Sequence, residues 1–309
     1  MSVDFSALAN KLGFDERYVE KACRVSDLLQ RVSQVPFLKD RLSLYGGTAL
    51  AFIHFPELYR LSIDVDFNYR HIDSEDWGIL RDRIDKDLKR VLYSLKYEAK
   101  DLSIDASWPL GRITVNYVSR GGLKDSFKVE VGYMRRIPVL REDTLLGYRH
   151  PSDGAFKVLT PRSEELFANK WCTMLYRGSS RDLFDVYRIS ELPMDVEVFR
   201  VCAVVDSLMR GPPKLSEVDV HEVVGRIPVD SGLLNLLKKG LSFSKGEARG
   251  RVAEFSEGVL SGLTLDQKEA IDLFHEESSF EPELIDKLRV LNPGIRTHPM
   301  ILREFQSRE

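Results

Sequence analysis

The chain is poor in sulfur, lacks a long apolar run and carries almost no net charge, and each shortage narrows what it can be. Its 309 residues hold three cysteines, Cys23, Cys172 and Cys202. They are odd in number, far apart and not in metal-ligand spacing, which argues against a disulfide framework or a cysteine metal site. Buried thiols in a reduced compartment are expected. No apolar stretch approaches the roughly 20 residues of a membrane span. The first 22 residues mix acids among their apolar positions, unlike a signal peptide. A cytoplasmic protein with no membrane partner is therefore expected. The net charge of −3 gives no global basic signature, so a nucleic-acid partner would need a local cationic patch. Internal repeats and low-complexity tracts are also missing.

The patterns that are present divide the chain. Up to about residue 38 apolar positions recur at helical spacing. LSLY (42–45) reads as a short strand broken by Gly46-Gly47, followed by a helix from Thr48 to about Phe55. LSIDVDFNY (61–69) alternates as a strand does, and Ser74 reads as the cap of a long amphipathic helix reaching Leu95. Further strands are predicted at 101–108, 112–119, 127–134 and 156–159, with Gly111 and Gly121-Gly122 as turns. Thr160-Pro161 reads as a helix start, and beyond it the periodicity is helical throughout, including segments 230–240 and 282–290. The expected fold class is α+β: a mixed sheet with flanking helices over 1–160, then an all-helical half over 161–309.

One constellation carries chemistry. Side chains alternate along a strand, so Asp64 and Asp66 should share a face while Val65 and Phe67 point into the core. Two carboxylates on one face repel, and a hard divalent cation is a common remedy. Mg²⁺ takes one or two protein carboxylates and completes its shell with water and substrate phosphates. Gly46, Gly47 and Thr48 open a helix 16 residues before Asp64, where bare backbone and free N–H groups suit an anion. Glu130, between two core valines in FKVEVGY, adds a third acid from a later strand. Alone, the D-x-D could be a solvated strand face and the glycines a tight turn; together they form a rarer pattern. In the helical half, Lys170 and Arg177 share a helix face, and Asp182 and Asp185 lie three apart. Five cations crowd one segment: Arg135, Arg136, Arg141, Arg149 and His150.

GGTALA, then RLSIDVDF (60–67) and KWCTMLYRGSSRDLFD (170–185), resemble the AbiEii/AbiGii toxin family of the DNA polymerase β-type nucleotidyltransferase superfamily, which includes MenT-type toxins. The resemblance covers roughly residues 40–190. It implies an enzyme that moves a nucleoside monophosphate from an NTP to an acceptor hydroxyl, releasing pyrophosphate. The implied acceptor is RNA, in MenT-like members the 3′ end of tRNA, and a cognate antitoxin is an implied partner. In the implied division of labour Asp64, Asp66 and Glu130 hold two Mg²⁺ ions, with Mn²⁺ as a substitute. Gly46, Gly47 and Thr48 cradle the phosphates, assisted by Arg60, Ser62, Arg181 and Asp182. Lys170 neutralises the triphosphate, and Asp185 orients base or acceptor or holds Arg181. Two other readings stay open: transfer to a small-molecule or protein hydroxyl, and a nucleotide- or partner-binding protein without turnover.

Overall fold

A computed structural model describes residues 3–307. The chain forms two compact units. The first comprises residues 1–136, 144–160 and 235–241, and the second 137–143, 161–234 and 242–309.

The first unit begins with helices α1 (Phe5–Leu12), α2 (Glu16–Val32) and α3 (Pro36–Lys39). Asp15 caps α2 by accepting from the Arg17 N–H, and that helix buries Val19, Ala22, Val25, Leu28 and Leu29. The sheet follows: β1 (Leu42–Tyr45), β2 (Val65–Tyr69), β3 (Leu102–Asp105), β4 (Leu110–Val118) and β5 (Lys124–Gly132), in the order β1-β2-β5-β4-β3. Only the β2–β5 pair is parallel. Alternation is strict where it matters. Val65, Phe67 and Tyr69 are buried, whereas Asp64, Asp66 and Asn68 are half-buried. With Phe127, Val129 and Val131 they make one apolar sheet face, each large side chain contributing roughly 1.5–3 kcal/mol.

A short helix α4 (Gly46–Ala49) runs into a π-helical turn at Leu50–His54, and α5 (Trp77–Ser94) is the long amphipathic helix. The hairpin β6 (Thr144–Arg149) and β7 (Ala155–Thr160) is tied back to β1, where the Thr160 hydroxyl donates to the Leu44 carbonyl at 2.9 Å.

Residues 235–240 were expected in a helix. Helix stops at Leu234, and the chain turns and then forms a single antiparallel bridge, Leu237 with Arg60. Leu61 N–H donates to the Leu236 carbonyl at 2.9 Å, and Lys238 N–H to the Tyr59 carbonyl at 2.9 Å. Other boundaries moved for local reasons. Asp76, not Ser74, caps α5, accepting from the Gly78 N–H at 2.8 Å. Gly111 lies inside β4 opposite Val131, because the chain turns earlier, at residues 106–109.

The second unit holds α6 (Ser163–Arg177), α7 (Ser180–Ile189), α8 (Val196–Leu208), α9 (Val220–Arg226), α10 (Ser231–Leu234), α11 (Lys245–Ser261), α12 (Leu265–Glu277), α13 (Pro282–Ile285) and α14 (Pro299–Gln306). Thr264 and Gln267 form the expected capping box of α12. Helix α6 begins at Ser163 rather than at Pro161, and the segment predicted as helix over 282–290 keeps only one turn. The three cysteines are free and buried; burial pushes the Cys23 thiol up to about 12, which makes it a packing residue, not a nucleophile. No helix among the described residues is long and apolar enough to cross a membrane.

Candidate active site

Sheet register assembles the first part of the site. Tyr45 stands opposite Asp66, Asp66 opposite Glu130, and Glu130 opposite Arg112. Residues paired across neighbouring strands share a face, so the four side chains form one polar row over an apolar floor. Arg112 Nε donates to Glu130 Oε1 at 2.6 Å. Asp64 sits one residue before β2, and its Oδ1 accepts from the Lys128 N–H at 3.2 Å.

The glycine corner packs against this row. Gly46 has φ +69°, and a Cβ there would overlap Asp66 Oδ2. A Cβ on Gly47 would overlap the Arg60 guanidinium and lie 3.2 Å from Ser62 Oγ. Only glycine admits both approaches. Replacing Gly46 with alanine should therefore cost roughly 1–2 kcal/mol for the left-handed backbone alone and displace the Asp66 carboxylate. Melting and turnover measured together check this; wild-type turnover in Gly46→Ala would disprove the close packing.

Thr48 is fully buried. Its hydroxyl donates to the Asp64 carbonyl at 2.5 Å and shares a 2.8 Å hydrogen bond with Ser62 Oγ. That hydroxyl was expected on phosphate, yet it latches the start of α4 to the segment that carries the acids. Arg60 and Ser62 are also buried, and Arg60 Nη1 donates to the Leu61 carbonyl at 2.9 Å. These three side chains brace the corner from behind.

Metal fit can be judged from the donors. Among the described residues no group of three or more His, Cys, Asp or Glu is arranged to hold an ion. Glu130 is engaged by Arg112, so the expected three-acid set is not gathered. Asp64 and Asp66 are hard oxygen donors two residues apart, and Mg²⁺ requires no more than one or two carboxylates from protein. The pair fits.

The second unit contains a separate charged cluster. Gly178, in the left-handed conformation, ends α6, and the Ser179 hydroxyl caps α7. The tight turn folds α7 back so that Lys170 Nζ lies 3.1 Å from Asp182 Oδ1 and 3.1 Å from Asp185 Oδ2. Both carboxylates are fully buried, and Lys170 nearly so. Asp182 also receives Arg177 at 2.8 Å and the Ser179 hydroxyl at 2.5 Å. Burial pushes its carboxyl upward, but Lys170, Ser179 and Arg177 outweigh that and hold it at about 2. Arg181 is exposed, and Asp185 meets Lys170.

Four of the five cations of the 135–150 segment bond to the chain's own atoms. Arg149 donates to the carbonyls of Ala51, Phe52, Phe55 and Pro56, with a 2.9 Å bond to Pro56, closing the π-helical turn. Arg141 donates to the Arg289 carbonyl at 3.0 Å, and His150 meets Asp27 at 3.3 Å. Arg136 donates to the Tyr133 carbonyl at 3.1 Å. Each of these four side chains thus makes a hydrogen bond within the chain. Arg112 was missed in the sequence because only register links it to Glu130.

A sheet with a parallel β2–β5 core, a glycine corner and paired acids at the head of β2 makes this a nucleotidyltransferase. A family model described as nucleotidyl transferase AbiEii toxin, type IV toxin–antitoxin system, matches residues 27–252, and the chain belongs to that family. Among solved structures it resembles MenT4, a nucleotidyltransferase toxin from Mycobacterium tuberculosis H37Rv, with a TM-score of 0.64, 16% identity and 99% of each chain covered. An antigenic nucleotidyltransferase-like protein from Paracoccidioides brasiliensis matches 57% of this chain and 77% of its own, at 21% identity and a TM-score of 0.37. That second likeness is too distant to carry an argument. No curated protein matches.

Proposed function

We propose that the protein is a toxin that transfers a nucleoside monophosphate from an NTP to an RNA hydroxyl, with the 3′ end of tRNA as acceptor. The observation that carries the reading is the Asp66 carboxylate seated between Gly46 and Glu130, at the mouth of an anion-compatible helix start. The acceptor oxygen attacks the α-phosphorus, the α–β bridge breaks and pyrophosphate leaves. Asp64 and Asp66 would hold Mg²⁺, or Mn²⁺ in its place, which when bound neutralises phosphate charge and lowers the pKa of the attacking hydroxyl. The backbone of Gly46 and Gly47 lets phosphate approach closely, and Arg60, Ser62 and Thr48 keep that corner rigid. Arg112 fixes the carboxylate of Glu130 beside the metal ligands. Lys170, positioned by Asp182 and Asp185, neutralises phosphate in the manner its family suggests. A cytoplasmic setting and a cognate antitoxin accompany this reading.

Incubation with each labelled NTP, Mg²⁺ and total RNA tests it. Label is expected in tRNA-sized RNA, from one NTP more than the others. Label in a protein or a small molecule, with RNA unlabelled, would replace the RNA acceptor and keep the chemistry.

A further inference from the structure

With the sequence-adjacent cations turned to internal bonds, the first unit shows a different kind of exposed feature. Trp77, at the start of α5, and Trp108, in the β3–β4 turn, have ring centroids 4.7 Å apart. Trp108 is 50% exposed. The Arg136 guanidinium lies over the Trp77 ring at 4.6 Å, and Arg81 lies over Tyr133 at 5.0 Å. Arg81 also donates to the Ala106 carbonyl, which ties it to the turn that carries Trp108. A protein that needed these tryptophans only for its core would have buried them, as it does Trp171.

Asp73 is bound by Arg41 at 2.8 Å, and Asp76 caps α5 while its charge acts on Arg136. Asp85, which accepts from the Tyr133 hydroxyl at 3.1 Å, interacts electrostatically with Arg81. Arg81 and Arg136 nevertheless keep their guanidinium groups against the rings. Aromatic faces flanked by guanidinium groups suit the flat bases and the phosphates of an unpaired strand. A duplex offers no free base face. The turn is also close to the acids: Trp108 precedes Arg112 by four residues, and Arg112 is paired with Glu130. Four residues, two of them in the turn, span at most about 13 Å.

We infer that Trp77 and Trp108 form a stacking platform for unpaired bases of a single-stranded RNA, the acceptor strand. This rests on the RNA reading above, and the test separates the two.

The full chain is titrated with a ten-nucleotide single-stranded RNA and with a duplex of the same sequence, following tryptophan fluorescence. Of the three tryptophans, Trp171 is buried and donates its indole N–H to Ser256 at 2.9 Å, so quenching reports on the other two. The single strand should quench and the duplex should not. Trp108→Ala should weaken binding roughly ten-fold, the scale of one lost base–aromatic contact, and Trp108→Phe should recover most of it. Equal binding by wild type and Trp108→Ala, or equal quenching by the duplex, overturns the platform. Quenching by no RNA also overturns it and leaves this face to a protein partner. Transfer is assayed in the same samples. Strong, Trp108-dependent binding without transfer to RNA would keep the platform and remove the RNA acceptor reading.

Discussion

Asp66→Ala should lose nucleotidyl transfer by about a thousand-fold or more, the scale of removing a group that manages transition-state charge. Asp66 stands opposite Glu130 on one face of parallel strands, and Glu130 would keep its Arg112 partner after the change. Asp64→Ala should also lose transfer. Its carboxylate accepts from the Lys128 N–H, so that variant should lose roughly 1 kcal/mol of stability as well. Thermal melts beside a labelled-NTP assay measure both effects. Near-normal turnover in Asp66→Ala would remove the metal-ligand role, and collapse of its cooperative melt would recast the residue as structural.

Lys170→Ala should be among the most destabilising single changes in the second unit, costing about 3–5 kcal/mol. The substitution removes the ammonium shared by two fully buried carboxylates, Asp182 and Asp185, and leaves Asp182 with Arg177 and Ser179. Its pH signature follows from Asp182. That carboxyl is held at about 2 in the folded chain, below an unfolded value near 3.9. A depressed pKa contributes stability above about pH 4, and that contribution fades as pH falls toward 2. Without Lys170 the folded pKa should climb, so acid unfolding should begin at higher pH than in wild type. Melting curves from pH 3 to 7 measure the shift. Single-turnover rates, taken at temperatures where the variant is folded, then ask whether Lys170 also serves phosphate. A variant that melts like wild type would contradict the burial argument. A folded variant with an unchanged rate would confine Lys170 to positioning α6 against α7.

The glycine corner and Asp66 were legible in the sequence because their signals are local: a bare turn before a helix, then alternation over VDFNY. The belonging of the chain to a nucleotidyltransferase family was legible for the same reason. What escaped was fixed by partners remote in sequence. Arg112 is opposite Glu130 only through β4–β5 register, and the four carbonyls that take up Arg149 lie more than ninety residues before it. From sequence that arginine looked like part of an RNA-binding patch. The run LLNLLKK, at 233–239, has apolar spacing that serves a helix as well as a strand. Backbone pairing with residues 59–61 decided it. Strand β6 went unseen because its alternation is brief and interrupted by Gly147.

That pairing has a consequence in time. Leu61 cannot meet Leu236 until some 175 further residues have been made. At about 5–20 residues per second on the ribosome, the backbone just ahead of Ser62 and Asp64 stays unclasped for roughly 10–35 s after it emerges. A nascent chain arrested before residue 235 therefore carries every acid of the first unit, yet lacks the segment whose backbone bonds to Tyr59 and Leu61 fasten their approach. Competence to act on nucleotides should arrive late in synthesis, close to release of the chain.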